Sequence, residues 1–109
     1  MKDIERTGPK SARAEVSYEV PAEKLASAIE RAIHTSKRWR LGSSSNGTIK
    51  AVRTTRIFKF EDDITIKISG DDENAHAVFE SASRVGNSDL GQNRRNLREL
   101  LPAIERELG

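Results

Sequence analysis

The chain of 109 residues contains no cysteine, few aromatic side chains and no long apolar run. Without cysteine, disulfides, thiolate metal sites and thiol nucleophiles are excluded. No apolar segment reaches the roughly 18 residues of a membrane-spanning helix, and no signal-type segment follows Met1. We therefore expect a protein that is soluble as given and carries no targeting segment. Its compartment stays open, because a cysteine-free chain tolerates either redox environment.

Patterns that would indicate a catalytic or cofactor site are also missing. His34 and His76 are isolated and lack the spacing of zinc ligands. No serine occurs in a GxSxG or paired-histidine context that would mark a nucleophile. We expect no cofactor and no metal, and the sequence gives no support for an enzyme. Five acidic residues could bind a hard cation, but they lack calcium-loop spacing and are better explained as two solvated turns: Asp62, Asp63, Asp71, Asp72 and Glu73.

Hydrophobic periodicity predicts a single α+β domain with the order β-α-β-β-β-β-α. Residues 12–20 alternate as a half-buried strand, and Pro21 opens an amphipathic helix. Asn46-Gly47 is a two-residue hairpin signal. Short connections favour a mainly antiparallel sheet of about five strands, with both helices packed on one face. Residues 1–11 are predicted to be a flexible N-terminal arm, and residues 12–109 the domain.

The most unusual stretch joins the last strand to the last helix. A strand near residues 75–84 ends at Gly86, after which Asp89 is predicted as the helix N-cap, with Gln92 completing an approximate capping box. Asn93 falls on the apolar stripe of this helix. Because a buried amide is costly unless it is hydrogen-bonded, we expect Asn93 to bond to the strand–helix turn.

This stretch, SASRVGNSDLGQNRR, resembles the hallmark of an uncharacterised family, the domain of unknown function numbered 1499. The resemblance covers roughly residues 48 to 105. It implies no activity, since the family has none established, and it implies that relatives are often exported or membrane-linked. The matching residues of the hallmark are Ser83, Arg84, Gly86, Ser88, Asp89, Gly91, Asn93, Arg94 and Arg95, and Phe60, Asp62 and Asp63 match an upstream segment.

The turn supplies the candidate binding residues Arg84, Ser88, Gly91, Arg94 and Arg95, and the structural residues Gly86, Asp89 and Asn93. Two interpretations stay open. Helix N–H groups, hydroxyls and guanidinium groups could converge on an anion or polar ligand. Alternatively, Asp89 could satisfy those N–H groups and pair with Arg84, so that the motif is a structural lock. We expect a non-enzymatic binding or interaction domain whose partner is an anionic or polar small ligand or a protein.

Three other functions would each require specific residues. A carrier of a small apolar or lipid-like molecule would have a cavity between the sheet and the last helix, lined by residues such as Val16, Tyr18, Phe58, Ile66 and Leu97. Nucleic-acid binding would use Trp39, Phe58 and Phe60 as stacking platforms, but the net charge of only +2 disfavours it, and both phenylalanines are predicted to be core residues. An enzyme would need His76 or His34 beside Ser88 or an acid.

Overall fold

In the computed structural model, which describes residues 3–109, a six-stranded antiparallel sheet is covered by two helices. The strands lie in the order β1-β2-β6-β5-β4-β3, so the hairpins are neighbours and β6 returns between β2 and β5. The elements are β1 (Ile4–Gly8), β2 (Ser11–Tyr18), α1 (Ala22–Thr35), β3 (Trp39–Ser45), β4 (Thr48–Thr54), β5 (Glu61–Gly70), β6 (Ala75–Ser83) and α2 (Gln92–Leu108).

The sixth strand, β1, comes from the segment in which the sequence predicted a flexible arm. It pairs with β2, with Ile4 opposite Ala14 and Arg6 opposite Ala12. The prediction of about five strands is corrected to six. The three central residues of β1 are exposed, as expected of an edge strand, so this segment has too little apolar alternation to be recognised from sequence. Met1 and Lys2 of the predicted arm lie outside the described residues.

Both helices bury one apolar face against the same side of the sheet, as predicted. Alanines on β2 and β6, including Ala14 and Ala77, leave room for the helices to approach closely. Trp39 belongs to this core, and its indole N–H donates to the Glu99 carboxylate on α2. Val16, Ile66 and Leu97, which were predicted to line a carrier cavity, are buried in the same core. No helix of residues 3–109 is both long enough and apolar enough to cross a membrane.

Two connections on the β3–β4–β5 side of the sheet are well defined. The Asn46-Gly47 hairpin turn is confirmed, and both residues have positive φ. After β4 the chain forms a loop, residues 55–60, which is closed at its base. The backbone N–H of Thr55 donates to the carbonyl of Phe60 at 2.8 Å, and the N–H of Phe60 donates to Thr55 Oγ1 at 2.8 Å. This closure places residues 56–59 at a projecting tip.

Candidate functional site

The predicted buried network around Asn93 is confirmed. Asn93 is fully buried, and its Nδ2 lies within hydrogen-bond distance of Ser83 Oγ, the Lys10 carbonyl and the Asp89 carboxylate, at 2.8, 2.9 and 2.7 Å. Its Oδ1 accepts from Ser81 Oγ at 2.6 Å. One side chain therefore connects α2, β6, the β1–β2 turn and the strand–helix turn.

Asp89 stabilises the start of α2, but not as the predicted N-cap of a capping box. The helix begins at Gln92, and the capping residue is Gly91, which has φ 83°. Asp89 accepts the backbone N–H groups of Gly91 and Asn93 at 2.8 and 3.1 Å. The side chain of Gln92 instead donates to Asn96. Two consecutive residues of positive φ, Leu90 and Gly91, shift the helix start beyond the position that the sequence pattern indicated.

The protonation of Asp89 follows from these contacts. Burial raises the pKa of its carboxyl group, but the hydrogen bonds from the Asn93 side chain and from the N–H groups of Gly91 and Asn93 outweigh burial. The pKa therefore lies below the ordinary value. Because the N–H groups of Gly91 and Asn93 are already satisfied by this internal carboxylate, they are not free to bind an external anion.

Arg84 does not pair with Asp89, which corrects one of the two readings of the turn. Its guanidinium bonds both oxygens of Asp63, at 2.8 and 3.0 Å, and Glu61 at 2.8 Å. Hydrogen bonding by Arg84 lowers the pKa of Asp63. The pairing depends on the alignment of β5 with β6, in which Asp62 lies opposite Ser83, and sequence alone does not determine that register.

The remaining candidate residues face different surfaces. Arg95 is exposed at the turn and donates to the Leu90 carbonyl and Gln92 Oε1, both at 3.2 Å. Ser88 is also at the turn and accepts from the N–H of Leu90 at 3.3 Å. Arg94 instead lines a separate cleft of 580 Å³ beside Ile4 of β1. The structure thus brings together Ser88, Gly91 and Arg95, but not Arg84 or Arg94.

A cleft of 260 Å³ separates the loop of residues 55–60 from the strand–helix turn, and we refer to it as the loop–turn cleft. Its rim is apolar and its base is polar. Phe58 and Phe60 form one side of the rim, with ring centroids 5.5 Å apart in a stacked arrangement. The lining residues are Thr55, Phe58, Phe60, Asp62, Ser83, Val85, Gly86, Ser88, Asp89, Leu90, Gln92 and Arg95.

Asp62 is the most deeply buried of the lining residues, with 1% of its surface exposed. Asn96 Nδ2 donates to its Oδ2 at 2.8 Å, and within residues 3–109 this is the one hydrogen bond found for the side chain. Arg53 lies directly across on β4, but its guanidinium bonds Glu99 at 3.1 Å instead. The base of the cleft therefore retains hydrogen-bonding capacity.

Five large apolar side chains are exposed in residues 3–109, and all five lie on the two segments that flank this cleft. The prediction that Phe58 and Phe60 are core residues is wrong, since they are 73% and 48% exposed. Sequence reasoning missed this group because Phe58 and Phe60 resemble strand residues. The alternation of apolar and polar residues is lost after Thr54, and this was the signal in the sequence that the strand ends there. The five residues are Ile57, Phe58, Phe60, Val85 and Leu90.

Comparison with known proteins establishes the family of the chain. The model of the family described as "Protein of unknown function (DUF1499)" matches residues 2–104. The chain belongs to this family. No curated protein matches it. The loop–turn cleft is therefore a feature of a DUF1499 domain whose hallmark residues supply both the buried lock and one wall of the cleft.

Solved structures similar to this DUF1499 domain define the fold alone. CalU16 from Micromonospora echinospora superimposes with a TM-score of 0.57 at 12% identity, covering 98% of this chain and 91% of that protein. TTHA0849 from Thermus thermophilus has a TM-score of 0.46 at 11% identity, covering 90% of this chain and 96% of that protein. At 12% identity the likeness to CalU16 extends to the fold and not to ligands.

The DUF1499 domain also brings His76 beside an acid, on the solvent-facing side of the sheet. His76 Nδ1 lies 3.1 Å from Ser17 Oγ, and its Nε2 lies 3.7 Å from Glu15 Oε2. Ser17 lies directly opposite His76 in the pairing of β2 with β6. The arrangement is explained by cross-strand contacts on an exposed face.

Proposed function

We propose that this protein is a non-enzymatic binding domain and that its strand–helix turn, residues 84–95, recognises a small ligand in the loop–turn cleft. The observation that carries the proposal is the concentration of exposed apolar side chains around one cleft. Soluble domains rarely expose contiguous apolar surface unless it contacts something. An apolar rim with convergent polar groups at its base is the usual composition of a ligand site.

The ligand class follows from the groups that remain available. Arg84 is neutralised by two carboxylates and Arg94 faces another surface, so Arg95 is the cation of the predicted set that lies at the cleft. The hydrogen bonds of Arg95 go to neutral acceptors. We therefore expect an aromatic or aliphatic body with one acidic group. A volume of 260 Å³ lies just below the usual range of ligand sites, roughly 300–1,000 Å³, so we expect the ligand to be small.

The alternative is a carrier that holds an apolar ligand between the sheet and α2. It has less support, because Ile66 and Leu97 are fully buried in the packed core. Opening such a cavity would break close contacts that contribute to stability. Phe58, the one predicted lining residue that is exposed, lies on the loop–turn cleft.

The proposal is tested by titration with 8-anilinonaphthalene-1-sulfonate, an aromatic anion, followed by fluorescence and by amide NMR. We expect saturable binding, with shifted amides in residues 55–60 and 84–95. Phe58→Ala should weaken binding of this probe and of the neutral N-phenyl-1-naphthylamine. Arg95→Ala should weaken only the anionic probe, by roughly threefold, as for an exposed ion contact.

Arg106→Ala is the matched control. Arg106 is exposed in the last turn of α2, and its substitution removes the same charge as Arg95→Ala. It should leave both titrations unchanged. Arg95→Ala should alter the unfolding free energy by less than about 0.5 kcal/mol, because the side chain is exposed. Shifts confined to core amides would favour the carrier, and no saturable shift in either segment would contradict the proposed site.

A further inference from the structure

The loop of residues 55–60 forms one wall of the cleft, and it also exposes apolar and cationic side chains at its tip. Its tip reads Arg56-Ile57-Phe58-Lys59, and all four side chains are exposed. Because the backbone closes between Thr55 and Phe60, the tip projects from the end of the sheet. Two adjacent apolar side chains, 77% and 73% exposed, are thus presented between two cations.

The strand–helix turn presents a second apolar element on the same face. Val85 and Leu90 line the cleft together with Phe58, and Leu90 is 82% exposed. Leu90 has φ 51°, a conformation that is unfavourable for a residue other than glycine. The turn therefore holds a large apolar side chain in water at a conformational cost. Because the side chain is exposed, packing within the domain does not offset this cost.

The exposed, unpaired charges on this face are positive. Arg56, Lys59 and Arg95 have no acidic partner within residues 3–109. Of the neighbouring acids, Asp62 is buried at the base of the cleft, and the others are engaged in ion pairs or hydrogen bonds. Glu61 and Asp63 pair with arginines, and Asp89 accepts three hydrogen bonds from the turn and α2. The face thus combines projecting apolar groups with uncompensated positive charge, and we call residues 56–59, Val85, Leu90 and Arg95 the docking tip.

We propose that the docking tip binds the surface of an anionic lipid bilayer. Cations near an anionic leaflet are attracted to it, and apolar side chains beside them are buried at the boundary between headgroups and acyl chains. Exposed apolar and cationic side chains on two separate segments suit a deformable lipid surface better than a protein partner, whose shape must match. The inference uses the same face as the proposed ligand site, but it does not require a ligand in the cleft.

The test is sedimentation with vesicles of phosphatidylcholine alone and of equal parts phosphatidylcholine and phosphatidylserine. We expect binding to the anionic vesicles, weakened by high salt because screening shortens the electrostatic range. The Arg56→Gln/Lys59→Gln variant should bind about 25-fold more weakly, from roughly fivefold per cation. Phe58→Ser should weaken binding by at least about tenfold, since its apolar surface no longer enters the bilayer.

The matched control is Lys24→Gln/Lys67→Gln, which removes the same two charges from exposed positions on α1 and β5. It should retain vesicle binding. Equal loss in both double variants would overturn the docking tip, because it would show attraction by net charge alone. Absence of binding to anionic vesicles would also overturn it, as would Phe58-dependent self-association without vesicle binding, which would assign the apolar face to a protein contact.

Tryptophan fluorescence can report insertion directly. The natural Trp39 is buried, so its emission should not change when vesicles bind. In the Phe58→Trp variant, anionic vesicles should shift the emission of the new indole to the blue, and lipids brominated on their acyl chains should quench it. An unshifted, unquenched indole on bound protein would contradict insertion. Loss of sulfonate-probe binding with intact vesicle binding would reject the proposed ligand site and leave the docking tip standing.

Discussion

The side-chain nitrogen of Asn93 lies 2.7 Å from Asp89 Oδ2, and the same oxygen accepts the backbone N–H of Asn93 at 3.1 Å. These two residues therefore fix each other and the start of α2. The lock holds the turn in the conformation that exposes Leu90 and places Arg95 at the cleft. The buried lock and the proposed recognition surface of the hallmark thus lie on opposite sides of one turn.

Replacing Asn93 tests the buried side of this turn. Asn93→Leu keeps a side chain of similar size but leaves Ser81, Ser83 and Asp89 without their shared partner. We expect a loss of about 3 kcal/mol in the unfolding free energy, since each buried polar group left unpaired costs about 1–3 kcal/mol. Urea denaturation measures it. Asn87→Ala, at an exposed position of the same turn, is the control, and a loss for Asn93→Leu as small as that of the control would show that the network is not stabilising.

Asp89→Ala should cost about 2 kcal/mol, more than the roughly 1 kcal/mol of an ordinary cap. The reason is that the carboxylate serves two backbone N–H groups and the Asn93 amide together. Urea denaturation at neutral pH measures the change. A loss of about 1 kcal/mol or less would mean that water replaces the carboxylate in the turn.

The acid dependence of stability should report the same carboxylate. The pKa of Asp89 is lower in the folded protein than in the unfolded chain, where an aspartate has a pKa of about 3.9. Its contribution is therefore fully present above about pH 4 and is lost as the pH falls through the folded value. Urea denaturation at pH 7 and pH 3 should show that the unfolding free energy falls less for Asp89→Asn than for the unaltered protein. Equal losses would exclude Asp89 as a contributor.

The sequence predicted those features that are determined by residues close together in the chain. The alternation of β2, the Asn46-Gly47 turn and a polar Asn93 on an apolar stripe are local signals, and each was confirmed. The partner of Arg84 and the exposure of Phe58 depend on strand register and loop closure, which arise only when distant segments meet. Edge strand β1 has an exposed, polar centre, so its pairing carries no periodic signal.

Tyr18 offers a prediction at alkaline pH. Its hydroxyl is buried with no hydrogen-bond partner within residues 3–109, and burial followed by the nearby charge of Glu105 raises its pKa to about 12. The protonated phenol is thus favoured by folding, and this stabilisation is present below about pH 10, the unfolded value, and lost as the pH rises towards 12. Tyr18→Phe should be neutral, or stabilising by up to about 1 kcal/mol, at pH 7.

The loss of stability at alkaline pH tests whether the Tyr18 hydroxyl is buried without a hydrogen bond. Unfolding free energies measured at pH 8 and pH 11 should decline less in Tyr18→Phe than in the unaltered protein, because the variant has no phenol to ionise. Destabilisation of Tyr18→Phe at pH 7 would instead indicate that the hydroxyl is hydrogen-bonded, for example to water.

Leu90 and Gly91 should respond oppositely to substitution, because both have positive φ but only Leu90 has a side chain to remove. Leu90→Gly relieves the left-handed strain and loses little buried surface, so we expect stabilisation of up to about 1 kcal/mol. Gly91→Ala introduces the strain and should destabilise by about 1 kcal/mol. Urea denaturation measures both changes. If the strain is maintained for recognition, Leu90→Gly should bind anionic vesicles more weakly while unfolding at higher urea. A destabilised Leu90→Gly would show instead that the leucine packs against the domain.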